Sequence, residues 1–524
     1  MKKKIYFFVT AAILAVFVLF TAGCGRNRLP EGAIRVVVFD RGSDGGRTNP
    51  ANNRWTQWIQ ERVKEELGFE VFFEPVSRWD EGQAQVTLMA AGNPPDLMMT
   101  WSFDNIAIWG EQGGLFDMAP YIETHLYEVK NFLGPDSGAP GRDFISRNRN
   151  NETGQMFSVP MRYAYTASRN VFMRKDWLDA LGLPVPATHE EFFYALAAFR
   201  DQNPGGVSRV IPWTMTRDVR WMAGHIMDSF IDPDLSIRDR WVYTVVERNL
   251  LVPHFREGVR FMNRMWNAGL IDEDFFLYAN DTPMNNLIAS GVVGAFGHNW
   301  DQIFREGEGL TTNLRQIAPD AEWVAIDAFP SSDGITHKSH GDGGLFVFIP
   351  RSSRNPHNAM RYLNWIARFE NLNFLQIGPE GIVHEMVDGL PLLNPAADDG
   401  WIQNSSLNID LTMIANGLFL RTPEESIRAL VMTYSFPAEA VMQAYNVSSN
   451  NSRAFPVITT ARPLLAAGPL ALTLQQQAEA LLIRAIIASE ADFDAVWDAG
   501  IQNWLNSGAQ AVIDERAANF VSPD

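Results

Sequence analysis

Short apolar runs and helical-period segments alternate over the first hundred residues. Ile34 to Phe39 is a β-branched apolar run ended by Asp40-Arg41-Gly42, the pattern of a buried strand. From about Arg54 to Leu67, the residues Trp55, Trp58, Ile59 and Val63 fall at helical spacing, and Gly68 supplies a stop. A second strand over Phe69 to Pro75, a helix over Glu81 to Ala91 and a third strand over Asp96 to Thr100 follow. The third is entered through Gly92-Asn93-Pro94-Pro95, which no helix can cross. This alternation predicts a parallel sheet in an α/β lobe. Later, Thr188 and Glu191 fit a capping box before a helix with Phe192, Phe193, Leu196 and Ala197 on one face. Arg256 to Ala268 repeats the helical pattern, and Val292 to Phe296 and Leu345 to Ile349 read as buried strands. Pro356 to Phe369 is a helix with proline in its first turn, and two more run over Leu474 to Ala488 and Asp492 to Leu505, with Gly508 after them.

The N-terminus breaks this rhythm. Lys2, Lys3 and Lys4 precede an apolar run from Ile5 to Phe20, then Thr21-Ala22-Gly23-Cys24. A basic start, an apolar centre and small residues are the layout of a signal peptide, here residues 1–23. The run is short of the roughly 20 residues that span a bilayer core, which weighs against a transmembrane anchor. Cys24 is the only cysteine in 524 residues. The segment resembles a bacterial lipoprotein signal, which implies that Cys24 is lipidated and becomes the mature N-terminus. Residues 24–32 then form a tether, and the mature chain is expected at the outer face of the cell membrane. With no second cysteine there is no disulfide, so the exported fold rests on its core.

About 500 mature residues exceed one core, so two lobes are expected. The formal charge of -18, more negative still without the three leading lysines, argues against nucleic acid and against adsorption to an anionic membrane. Most of the 16 tryptophans are expected in the core.

Several segments resemble the extracellular solute-binding proteins of family 1, the maltose-binding-protein-like binding subunits of ABC importers, and chiefly their large Gram-positive lipoprotein branch. They are Ala90-Ala91-Gly92-Asn93-Pro94-Pro95-Asp96-Leu97, Gly114-Leu115-Phe116-Asp117-Met118, and Arg174-Lys175-Asp176-Trp177-Leu178-Asp179-Ala180-Leu181-Gly182-Leu183-Pro184. Gly269-Leu270-Ile271-Asp272, Gly378-Pro379-Glu380-Gly381 and the ending Phe493 to Phe520 add to the likeness. The resemblance implies a two-lobe α/β fold of the periplasmic-binding-protein type II, discontinuous in sequence and closing on a ligand. By that analogy lobe one is about 30–162 plus 340–398, and lobe two 163–339 plus 399–524. The implied role is a monomer, without cofactor or catalysis, that passes a carbohydrate to separate permease chains. Relatives often carry an acidic loop after the Thr-x-x-Glu helix. Here Asp201 to Arg209 leaves too few carboxylates for the six to eight oxygens calcium needs, so no metal is expected.

Ligands of open α/β sheets sit outside the carboxyl ends of strands. That rule selects Asp40 and Arg41, Trp101, His298-Asn299-Trp300, and Trp213 if Val210-Ile211 is a strand. A tryptophan face suits the apolar patch of a pyranose, and carboxylates, amides and guanidinium groups pair its hydroxyls. Tyr163 in Arg162-Tyr163-Ala164-Tyr165 follows the crossing, and Asp342 and Glu380 are further candidates. Trp101 and Trp300 are expected to stack on an oligosaccharide from opposite lobes.

No Gly-x-x-x-x-Gly-Lys phosphate loop is present, so the chain is not the transporter's ATPase, and no His-Glu-x-x-His occurs. The His337 to Asp342 stretch is not read as a metal site. The rival classes are a secreted glycoside hydrolase or lyase, which uses paired carboxylates, and a structural or sensory surface lipoprotein. A peptide or amino sugar is the second choice of ligand.

Overall fold

The computed structural model describes residues 29–42, 49–135, 143–150, 153–164, 169–232, 234–305, 309–327, 329, 338–340, 343–393, 401, 409–449, 452–454, 459–460 and 464–522. The expected signal peptide, Cys24 and Asp342 lie outside them. The two main sheets use β1 (Ile34–Asp40), β2 (Val71–Ser77), β3 (Met98–Thr100), β4 (Ser158–Tyr163), β5 (Arg169–Arg174), β6 (Ile211–Thr214), β7 (Val293–Asn299), β8 (Trp323–Ile326), β9 (Gly343–Phe348) and β10 (Ala415–Asn416). Helices used below are α1 (Arg54–Leu67), α2 (Glu81–Ala90), α3 (Phe103–Glu111), α4 (His189–Gln202), α5 (Val219–Asp228), α6 (Ala467–Ile487) and α7 (Gln510–Asn519).

Local chemistry accounts for the first lobe's elements. The Asn53 side chain accepts from the Trp55 and Thr56 amides at the start of α1, and Gly68 ends it in a left-handed conformation at φ 79°. Trp55, Ile59 and Val63 are buried in the same core as the interior residues of β1. β1 and β2 pair in parallel, and Val37 N donates to Leu97 O at 2.9 Å beside them. The expected all-parallel sheet does not hold beyond this point. β9 runs antiparallel to both β3 and β4, so the sheet is mixed. Its partner strand comes from much later in the chain, and a local strand–helix alternation carries no information about it.

The second sheet has the order β6, β7, β5, β8, with β6 and β7 parallel and the other pairs antiparallel. Two separate large cores result. One gathers Ile34 to Met161, Leu345 to Leu375 and Leu411 to Ala415; the other gathers Val171 to Phe329 and Val441 to Ile513. The chain passes between them after Tyr163, between Ile326 and Gly343, and between Ala415 and Val441. Leu411 to Ala415, expected in the second lobe, belong to the first, because β10 pairs with β4. Strands at the crossings also meet, since Lys338–His340 pairs in parallel with Ser452–Ala454.

At the C-terminus, Gly508 does not end the helical region. It sits at φ 119° in a kink over Leu505–Ala509, and α7 follows. A Cβ there would lie 2.4 Å from Leu470 Cδ1, so close approach to α6 explains the glycine. Among the described residues no helix is long and apolar enough to cross a membrane.

Candidate functional site

The carboxyl ends of β1, β3 and β4 lie at one edge of the first sheet, with the start of antiparallel β9. Arg78 follows β2 and is tied there by its amide, which donates to Asp40 O at 2.8 Å. Its guanidinium carbon lies 4.8 Å from the Trp101 ring centroid, 5.5 Å from Phe39 and 5.8 Å from Trp79. Trp79 is 48% exposed, and its indole donates to Arg41 O at 3.0 Å. Arg41 in turn makes a bidentate pair with the buried Asp410, at 2.6 and 2.8 Å. Gly344 makes room for two aromatic residues: a Cβ there would lie 2.1 Å from Tyr163 Oη and 2.6 Å from Trp101 Cζ3. Glu81, at the start of α2, accepts from the Trp101 amide at 3.1 Å. Burial pushes its carboxyl up. Burial, helped by the charge of Arg41, lowers Arg78 to about 10, so it remains a cation at neutral pH.

The second lobe presents a matching edge. Arg169 opens β5 opposite Asn299, the last residue of antiparallel β7. Its guanidinium lies 4.7 Å over the Trp221 ring, and Nη1 donates to the Arg220 and Trp221 carbonyls at 3.0 and 2.9 Å. Asp218 caps α5 by accepting from the Trp221 amide. The field of Asp218 acts on Arg169 and also on Arg78 of the other lobe, and Glu247 acts on Glu81. The two edges therefore face each other. Each carries an arginine laid on tryptophan. Two cavities of the second lobe, ≈ 430 and ≈ 380 Å³, lie elsewhere, the latter beside His189 and Arg264.

Of the residues selected by sequence, Asp40, Arg41, Trp101 and Tyr163 are brought together at the first edge, and Asn299 stands at the second. Trp213 is a correction. It lies inside β6 and is fully buried, edge-on to Phe192 at 5.8 Å, so no face is left for a solute. Trp300 is a second correction, because it is 5% exposed and set edge-on to Tyr445 at 5.4 Å within the second core. Glu380 is exposed in a turn bridged to His384, beside the hairpin His384–Val387 and Leu390–Leu393 and apart from both edges. His298 is buried and bonds Asp281 at 3.2 Å.

At the end of α4 Asp201 pairs with Arg200, and in the loop beyond it the Asn203 side chain bonds Val207 at both its amide and its carbonyl. Among the described residues no three His, Cys, Asp or Glu side chains are grouped to hold a metal. Sequence reading missed Arg78, Trp79, Asp410, Arg169, Asp218 and Trp221. The strand-end rule applied to β2 finds the first two once that strand is extended to Ser77.

Two α/β lobes with facing strand-end clusters define a solute receptor of the two-lobe class. The chain belongs to the bacterial extracellular solute-binding protein family, whose model matches residues 51–371. It is 22% identical over 264 residues to the fructooligosaccharide ABC transporter substrate-binding protein FusA of Streptococcus pneumoniae, covering 47% of this chain and 46% of that one. The polygalacturonan/rhamnogalacturonan-binding protein YtcQ of Bacillus subtilis is 19% identical over 309 residues, 56% of each. The chain thus spans about half the length of the curated relatives it matches. Among solved structures, the alginate-binding protein AlgQ2 without calcium ion superposes with a TM-score of 0.65 at 16% identity, covering 93% of this chain and 97% of that one. FusA in complex with kestose gives 0.63 at 14% identity, covering 93% and 98%. These likenesses carry the fold.

Proposed function

We propose that the protein is a non-catalytic binding protein, lipid-anchored through Cys24 on the outer face of the cell membrane. It captures an oligosaccharide between its lobes and presents it to separate ABC permease chains. The observation that carries the reading is the facing pair of edges, each with an arginine on an exposed or half-buried tryptophan, Trp79 and Trp101 on one side and Trp221 on the other. Aromatic faces bind the C–H side of a pyranose, and Asp40, Tyr163 and Asn299 supply polar groups around them. FusA and YtcQ, named for fructooligosaccharide and for polygalacturonan and rhamnogalacturonan, support a glycan.

A glycan panel read by thermal shift tests the class, because saturation at 100 times the dissociation constant adds about 2.7 kcal/mol. Trp101→Ala and Trp221→Ala should each weaken the best binder by about 2 kcal/mol. Wild-type affinity in both variants, or turnover of the glycan, overturns the reading. Cys24→Ser should release the protein from membranes and abolish fatty-acid labelling; unchanged attachment removes the lipid anchor.

A further inference from the structure

Arg78 is over-provided with aromatic surface and under-provided with acceptors. Three rings surround its guanidinium, yet among the described residues its buried Nε has no hydrogen-bond partner. The indole Nε1 of Trp101, beneath it, is a second buried donor without an acceptor. Unmet donors in such a position cost free energy until something accepts from them.

Among the described residues, the carboxylates that act on Arg78 are committed elsewhere. Asp410 is taken on both oxygens by Arg41. Asp218, on the other lobe, accepts from the Trp221 amide. Glu81 accepts from the Trp101 amide, and burial favours its neutral form. The same wall carries Arg41, paired with Asp410, and the opposite one carries Arg169 on Trp221 and Arg220, 3.8 Å from Glu247. A sugar hydroxyl meets a guanidinium through a single oxygen and brings no countercharge, whereas a carboxylate or sulfate presents two oxygens that match the planar fork and neutralise it.

We propose, resting on the glycan reading above, that the solute is an acidic oligosaccharide whose carboxylate or sulfate group is held by Arg78 against Trp101 and Trp79. Uronic acid residues and sulfated sugars share this chemistry. Calorimetry on the full mature protein separates them, using trimers of galacturonate, glucuronate and mannuronate, their uncharged methyl esters, and a sulfated galactan oligosaccharide.

An acidic probe should bind at least about tenfold more tightly than its uncharged counterpart at low salt, a difference of about 1.4 kcal/mol. That preference should shrink as salt rises. Arg78→Met should weaken the acidic probe far more than its methyl ester, so that the preference is lost, and Arg78→Lys should keep part of it. If Arg78→Met does not fold, Arg78→Gln and the salt dependence of the wild type decide. Equal or tighter binding of uncharged glycans, or a preference that survives in Arg78→Met, overturns the anionic assignment and leaves the glycan reading standing. Failure of every glycan to bind, charged or neutral, overturns both.

Discussion

Burial at single side chains decides which ionisable groups of this protein are charged. His189 lies among Phe230, Phe329 and Phe261 at ring distances of 4.2, 4.6 and 5.3 Å, and its Nε2 meets Ser229 Oγ at 2.8 Å. Burial lowers it from 6.5 to about 4, against the raising field of Glu190. The folded state therefore binds this proton less readily than the unfolded chain. Its contribution to stability is full above about pH 6.5 and is lost as pH falls towards 4. The stability difference between wild type and His189→Gln, from denaturant titrations, should shrink between pH 7 and pH 4.5; an unchanged gap refutes this. At the same scale, strand-end position alone does not sort the tryptophans. Trp101 has left β3 and reaches the edge, whereas Trp213 is still within β6 and points into the core. Arg78 and Trp79 escaped notice because Pro75 reads as a strand end. β2 pairs only with β1 among the described residues, and an edge strand tolerates proline without losing a ladder bond.

Elements bounded by their own caps were legible, and elements whose limits depend on distant partners were not. Arg54–Leu67 matches its expected limits because Asn53 and Gly68 lie within the same few turns. Thr188 caps α4 as expected, although Glu191 reaches back to the Ala187 amide, one residue before the cap. The start of α6 had no such mark and lies seven residues before the expected Leu474. It is set by packing across the lobes, where Gly468 of α6 meets α3. A Cβ at Gly468 would fall 2.7 Å from Ile108 Cγ2 and 2.8 Å from its Cβ, so the helices approach only because the residue is glycine. Gly468→Ala should force α3 and α6 apart and cost about 1 to 3 kcal/mol, as overpacking does. A urea titration checks it, and wild-type stability would show that the contact gives way freely.

For the whole molecule, binding favours a closed form only if the solute contacts both lobes better when they are together. The arginine–tryptophan pairs on opposite edges provide that difference, and Asp218 already acts on Arg78 across the gap. The radius of gyration by small-angle scattering should therefore fall at saturation with the best-binding glycan. An unchanged radius means that one lobe binds alone. Trp300, once the expected partner of Trp101, is packed behind the second edge, and Trp221 takes that place.

Most strand and helix identities, their capping residues and the expectation of two lobes were determined by the sequence itself, through length, periodicity and motifs confined to a few turns. Which strand ends share an edge was decided only by the tertiary structure. Arg41 and Asp410, 369 positions apart, meet because β10 returns to pair with β4, and β9 runs antiparallel because of a register set across the sheet. Such pairings leave no periodic trace along the chain. They follow from burying two separate cores, and the cleft with its facing arginines is what that packing leaves between them.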